Sequence, residues 1–249
     1  MLPTILIGPV ALPTYPLFLL AAYWAGLWLA AGQAERLSLD GDHIYNAGLY
    51  GLLAGIVGAR LGFVLAHWEN YAPNLMQALS LSRSALSPSM GLITAGLVAL
   101  IYLQHNKVPI NDFLDAAAYG AALAIIIANV GAFLGGEALG AVTTVPWAVE
   151  MASIARHPVQ LYESAAGLLI LGILFLIRSR PWPGFTFWCF VILYSLSRLV
   201  LEIFRARPNI IGDGFLTVQL LALMAMVVGL AVMAHNFSKN PVTMSSEGL

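Results

Sequence analysis

The sequence predicts an all-α, polytopic integral membrane protein with about seven transmembrane helices. Three observations lead there. Of the 249 residues, 60% are hydrophobic and only 9% charged, and mean hydropathy is +0.84. The apolar residues also gather in seven runs, each near the roughly 20 residues that cross a bilayer. With a net charge of -1 the chain carries no basic footprint for nucleic acid.

The runs are 14–32, 47–66, 86–104, 113–134, 159–178, 183–205 and 213–234. The opening MLPTILIGPVALP has neither a basic n-region nor a small-residue cleavage site, so the first run is expected as a retained helix rather than a cleaved signal. Residues 1–235 read as one transmembrane domain and 236–249 as a disordered cytoplasmic tail. An odd number of spans puts the termini on opposite sides. With the N-terminus outside, Arg36, Lys107, Arg178, Arg180 and Lys239 fall on inner loops, against Arg83, Arg156, Arg205 and Arg207 outside. The positive-inside rule then favours a cytoplasmic C-terminus, by a small margin.

In the second run Gly51, Gly55 and Gly58 have the small-residue spacing that lets helices approach closely. Arg60 follows, about two turns from the outer end and within snorkelling reach of head groups. The 67–89 connection mixes Trp, Tyr, Pro and Ser with short apolar runs and reads as an interfacial amphipathic segment. The fourth run ends in glycines around Glu137. Non-helical backbone at membrane depth needs burial in protein or a wet cavity, so 131–140 is a candidate cavity wall.

The block Arg156-His157-Pro158-Val159-Gln160-Leu161-Tyr162-Glu163 starts the fifth run. Pro158 suits the first position of that helix, which leaves Arg156 and His157 at its mouth as an anion-handling rim. In the sixth run Arg198 and Glu202 stand four apart on one helix face, extended by Tyr194 and Arg205. Charges inside a bilayer are expensive and point to function, although mutual neutralisation as a structural ion pair also accounts for two of them. Cys189, the one cysteine, lies in the same run and reads as a small core hydrophobe. A single thiol excludes a disulfide framework and cysteine-based metal sites, and neither metal nor cofactor is expected.

These residues resemble a known family. The RHPVQLYE block is similar to the RHPSQLYE signature of the prolipoprotein diacylglyceryl transferases, multi-pass enzymes of the bacterial inner (cytoplasmic) membrane. GPVAL followed by Tyr15, GARLGF with Arg60, the GE-xx-G pattern at Glu137 and Gly140, PWAV at 146–149, and the Tyr194, Arg198, Glu202, Phe204, Arg205 stripe fall in that family's order. Two departures stand out. The family's HGG histidine has no counterpart in SMGLITAGL at 89–97, and the arginine and asparagine of its G-R-x-G-N-F block are replaced by Asn129 and Ala132.

The resemblance implies transfer of a diacylglyceryl group from phosphatidylglycerol to the lipobox cysteine of a prolipoprotein. It implies a phospholipid site built from Arg198, Tyr194, Arg205, Arg60, Glu137 and Gly140, with His157, Glu202 and Tyr15 as candidates for the chemistry. The expected partners are an anionic phospholipid and a prolipoprotein signal peptide. The departures keep open a catalytically silent relative that binds anionic phospholipid and serves as a subunit beside other membrane proteins. A transporter reading lacks the paired broken helices and inverted halves such proteins show.

Overall fold

A computed structural model describes residues 2–8, 10–74, 76–77, 86–151, 153–177, 180–206, 210–211 and 215–239. Among them are seven helices long and apolar enough to span a membrane. In chain order the elements are β1 (Thr4–Ile7), β2 (Val10–Pro13), α1 (Thr14–Arg36), α2 (Asp42–Ala66), α3 (Trp68–Tyr71), α4 (Pro88–His105), α5 (Ile110–Gly135), β3 (Val149–Met151), β4 (Ile154–Arg156), α6 (Val159–Leu176), α7 (Phe185–Leu201), β5 (Ile210–Ile211), β6 (Phe215–Leu216) and α8 (Thr217–Lys239). The expected 236–249 tail lies outside the described residues from 240 onward, as do Arg83, Arg178 and Arg207.

The apolar opening departs from a simple helix start. Thr4–Ile7 and Val10–Pro13 pair as an antiparallel hairpin instead, with Thr4 opposite Pro13 and Ile5 opposite Leu12. Pro3 and Pro13 cannot sit inside a helix, and Gly8 turns at a φ of +60°. The Thr14 hydroxyl then donates to the Leu2 carbonyl, and the Leu2 amide bonds the Leu134 carbonyl at 2.8 Å. The hairpin is thereby tied to the end of α5.

The chain divides into two compact units, residues 34–113 and the remainder. In the first, α2 and α4 lie close enough that a Cβ on Gly58 would come within 2.0 Å of the Thr94 hydroxyl oxygen. That hydroxyl reaches the Ala54 carbonyl at 3.2 Å. Small residues on both helices thus allow the close crossing their spacing predicts. Arg60 is buried in this unit, at 6% exposure, rather than snorkelling. Its Nη2 donates to the Gln77 carbonyl at 2.6 Å, and its guanidinium stands 5.1 Å from the centre of the Tyr71 ring. Of the expected interfacial connection, Trp68–Tyr71 forms one α-helical turn and α4 already begins at Pro88; 75 and 78–85 lie outside the described residues.

In the larger unit α1 and α5 cross at Gly26 and Gly120, where a Cβ on Gly120 would meet the Gly26 carbonyl oxygen at 2.3 Å. Ala118, Ala122, Ile170 and Leu174 join α5 to α6 in a core that Cys189 and Phe190 cover from α7. Cys189 therefore points into packing, as its apolar run implies. A membrane-impermeant maleimide should leave Cys189 unlabelled in intact membranes; labelling there would contradict this placement.

Asp115, 1% exposed, caps α7 from a different helix. Its carboxylate accepts the Gly184 and Phe187 amides at 2.7 and 2.8 Å and pairs with Arg180 at 3.0 Å. A helix start carries unpaired N–H groups and a positive dipole end, and both favour a carboxylate there. Leu168, Leu169 and Leu176 stay exposed along α6, as a lipid-facing stripe requires. The last helix begins at Thr217, four residues beyond the expected start, after the short β5–β6 pair.

Candidate active site

The site forms where α7 runs out. Its helix ends at Leu201, Glu202–Phe204 makes one 3-10 turn, and Arg205 is extended at φ -80° and ψ 145°. The i, i+4 relation holds: Arg198 Nη2 donates to Glu202 Oε2 at 2.6 Å. A third partner comes from α6. Glu163 Oε1 accepts Arg198 Nη1 and Arg205 Nη2, both at 2.5 Å. Arg205 Nε lies 3.4 Å from Glu202 Oε2, an ion pair without hydrogen-bond alignment, so that buried N–H has no hydrogen-bond partner. The carboxylate side chains are 8% and 5% exposed and the guanidinium side chains 15% and 24%. Two positive and two negative charges are thus held in one largely buried cluster.

A cavity of about 540 Å³ opens on that cluster. Glu163, Tyr194, Arg198 and Arg205 line its polar end, while Phe190, Val191 and α8 residues including Val218, Leu221 and Ala222 line the rest. The shape suits an amphiphile with a charged head and apolar tails.

The sequence expectations separate into two groups. Tyr194, Arg198, Glu202 and Arg205 come together as their spacing implies. Glu163 completes them, although its role was not foreseen. It lies 35 residues from Arg198 in sequence, and the available signal was a carboxylate in an apolar run, inside the motif block itself.

The other expected residues frame the neighbouring loop. A strip from 139 to 143 lies between two segments: Ala141 N bonds Phe204 O at 2.7 Å and Ala206 N bonds Leu139 O at 3.0 Å, while His157 N bonds Ala141 O at 3.0 Å and Thr143 N bonds Ala155 O at 3.1 Å. Gly140 faces Arg205 in this strip. Arg156 gives Nη1 to the Gly140 carbonyl at 3.0 Å and so braces the loop. Gly136 and Ala138 turn at φ of +73° and +54° on either side of Glu137. Gln160, 1% exposed, holds the Glu137 carbonyl at 2.5 Å, while the Glu137 side chain is exposed. Pro158 stands one residue before the helix, at its cap.

The His157 ring packs 5.0 Å from that of Phe204, centre to centre, and its Nδ1 is 3.3 Å from the Tyr162 hydroxyl. That hydroxyl also accepts Trp147 Nε1 at 2.7 Å. Tyr15 packs its Cβ against Gly135 at the end of α5. Asn129 gives its amide to the Ile125 carbonyl of its own helix at 3.0 Å, and Ala132 is buried at 4% exposure.

Seven apolar spans, with an arginine–carboxylate cluster at the head of an apolar cavity, define a multi-pass membrane protein with a charged site inside it. The family model of prolipoprotein diacylglyceryl transferase matches residues 3–235, and the chain belongs to that family. Its relatives include a phosphatidylglycerol–prolipoprotein diacylglyceryl transferase of Clostridioides difficile (strain 630), 27% identical over 94% of this chain and 98% of that protein. The enzyme of the same name from Thermus thermophilus is 31% identical over 81% of this chain and 83% of its own length. That of Thermoanaerobacter sp. (strain X514) is also 31% identical, over 82% and 78%.

Proposed function

We infer that this chain moves a diacylglyceryl group from phosphatidylglycerol to the lipobox cysteine thiol of a prolipoprotein, as a multi-pass protein of the bacterial inner membrane. The observation that supports it most is the arginine pair at the polar end of an apolar cavity. The sulfur–carbon bond forms as the bond from the glycerol carbon to the phosphate oxygen breaks, and glycerol phosphate departs. Arg198 and Arg205 would face the charge that grows on that phosphate, the arrangement that lowers such a barrier. Acyl chains would lie along the α7–α8 wall, and the N-terminus would face outward.

A thiol of pKa about 8.5 needs a base to become a good nucleophile. His157 is the leading candidate, with Tyr15 and Glu202 as the others; Glu202 already serves as counter-ion to two arginines. When Nδ1–H of His157 donates to the Tyr162 hydroxyl, Nε2 is left as the free acceptor. Glu137 belongs to the proposed phospholipid site, with Gly140 shaping its loop, while Arg60 is held by Gln77 and Tyr71 within residues 34–113.

The test is transfer to a lipobox peptide in membranes depleted of the host transferase. His157→Ala should lower the rate about 10²-fold or more, the usual worth of acid–base help, with co-purified lipid unchanged. A rate within twofold of the parent would assign the base elsewhere. The silent-subunit reading rests on Asn129, Ala132 and the absent HGG histidine, and relatives that share the transferase name do not favour it. Transfer by the unaltered chain would remove it, and other membrane subunits would then be unnecessary.

A further inference from the structure

The charge count of the cluster has a consequence for how a lipid enters. Arg198, Arg205, Glu163 and Glu202 sum to zero, and each guanidinium is already bonded to a carboxylate. A phosphodiester carries one negative charge. Seated among these four groups it would leave three negative charges against two positive ones in a largely buried place. Buried ionisable groups relieve such an excess by becoming neutral.

The two carboxylates are not equivalent. Glu163 lines the cavity together with both arginines, whereas Glu202 does not. Glu202 is also held in register with Arg198 and Arg205 on the same stretch of chain, at i+4 and i-3. Glu163 comes from another helix, and its Oε1 alone accepts a bond from each guanidinium. A phosphate arriving from the cavity competes with Glu163 for the same two donors. Tyr194 is the other titratable group lining the cavity. Arg156, on the next strand, is bonded to the Gly140 carbonyl. Among the described residues of α8, none that lines the cavity is charged.

We propose that the lipid phosphate is admitted to this cluster together with one proton, which Glu163 takes up as it releases Arg198 and Arg205. The neutral carboxyl then becomes an O–H donor able to bond a phosphate oxygen. This rests on the lipid-transfer reading of the cavity. It adds a dependence that the reading does not require.

Calorimetry of short-chain phosphatidylglycerol binding to the detergent-purified chain, in two buffers of different ionisation enthalpy, counts the protons directly. One proton taken up per lipid is expected, with affinity weakening by about tenfold per pH unit as pH rises, the slope of a single linked proton. Glu163→Gln should bind with no proton uptake and no pH slope, and Glu202→Gln, in which Glu163 and the phosphate already balance the two arginines, should lose both as well. Deacylated glycerophosphoglycerol, run in parallel, separates sources: uptake with lipid alone or with both supports the proposal, the second assigning it to the phosphodiester itself. Lipid binding without proton uptake overturns the proposal and leaves the transferase reading intact. Uptake that persists in Glu163→Gln overturns the assignment to Glu163, and uptake that persists in Glu202→Gln overturns its basis in the charge balance. Absence of lipid binding overturns both. If Glu163→Gln fails to fold, the parent's proton count and its loss in Glu202→Gln still decide.

Discussion

Arg198→Ala should strip the purified protein of anionic phospholipid and abolish transfer. The arginine bonds both buried carboxylates, at 2.5 and 2.6 Å. Removing it leaves Glu163 and Glu202 sharing Arg205, and an uncompensated buried charge of this kind costs about 3–5 kcal/mol. Under the proposed transfer it also removes a donor to the departing phosphate, a loss worth about 10²–10³ in rate where such donors have been deleted. The two effects can be separated. Arg198→Ala combined with Glu202→Gln leaves one arginine opposite one glutamate, so stability should recover while lipid content and transfer do not. Mass spectrometry of co-purified lipid and a thermal melt read both quantities. Equal lipid content in Arg198→Ala and the parent would place the pocket elsewhere.

Gly140→Ala should be nearly as damaging, for a steric reason. A Cβ at this position would stand 1.9 Å from the His157 carbonyl oxygen and 2.9 Å from its carbon. These are backbone atoms held by the bond from His157 N to Ala141 O, so neither side can yield without opening the strip that carries Arg205. Overpacking in a core costs about 1–3 kcal/mol, and a clash with backbone belongs at the upper end. Transfer should fall at least tenfold and the melting temperature should drop. Gly172→Ala is the control, because nothing lies within 4 Å of its added methyl. It should be neutral or slightly stabilising, since a helical glycine costs about 0.5–1 kcal/mol relative to alanine. Equal melts for the two variants would show that the 139–143 strip adapts.

Much of the architecture could be read from the chain because a bilayer constrains it severely. Backbone polar groups in hydrocarbon must bond within their own segment, so an apolar run of about 20 residues is a helix almost regardless of its neighbours. All seven runs are helices, with ends displaced by a few residues. The short elements escaped because their cause is not local. The β1–β2 hairpin is tied to Leu134, and the β3–β4 hairpin pairs through Arg156 with Val142.

The site divides along the same line. Tyr194, Arg198 and Glu202 follow helical spacing onto one face, whereas Arg205 lies extended past the 3-10 turn and joins them through Glu163 and Glu202. Arg60 shows the limit of that argument: its depth suggested snorkelling, whereas the Gln77 carbonyl and the Tyr71 ring hold it inside its own unit. Membership of the family and the arginine–glutamate stripe were determined by the sequence by itself, because both are properties of residue order. That Glu163 bonds two arginines, that Asp115 caps α7, and that Gly140 must lack a side chain were decided only by tertiary structure. Each depends on atoms 17 to 72 positions apart in the chain being brought into contact, and spacing along one helix carries no information about that.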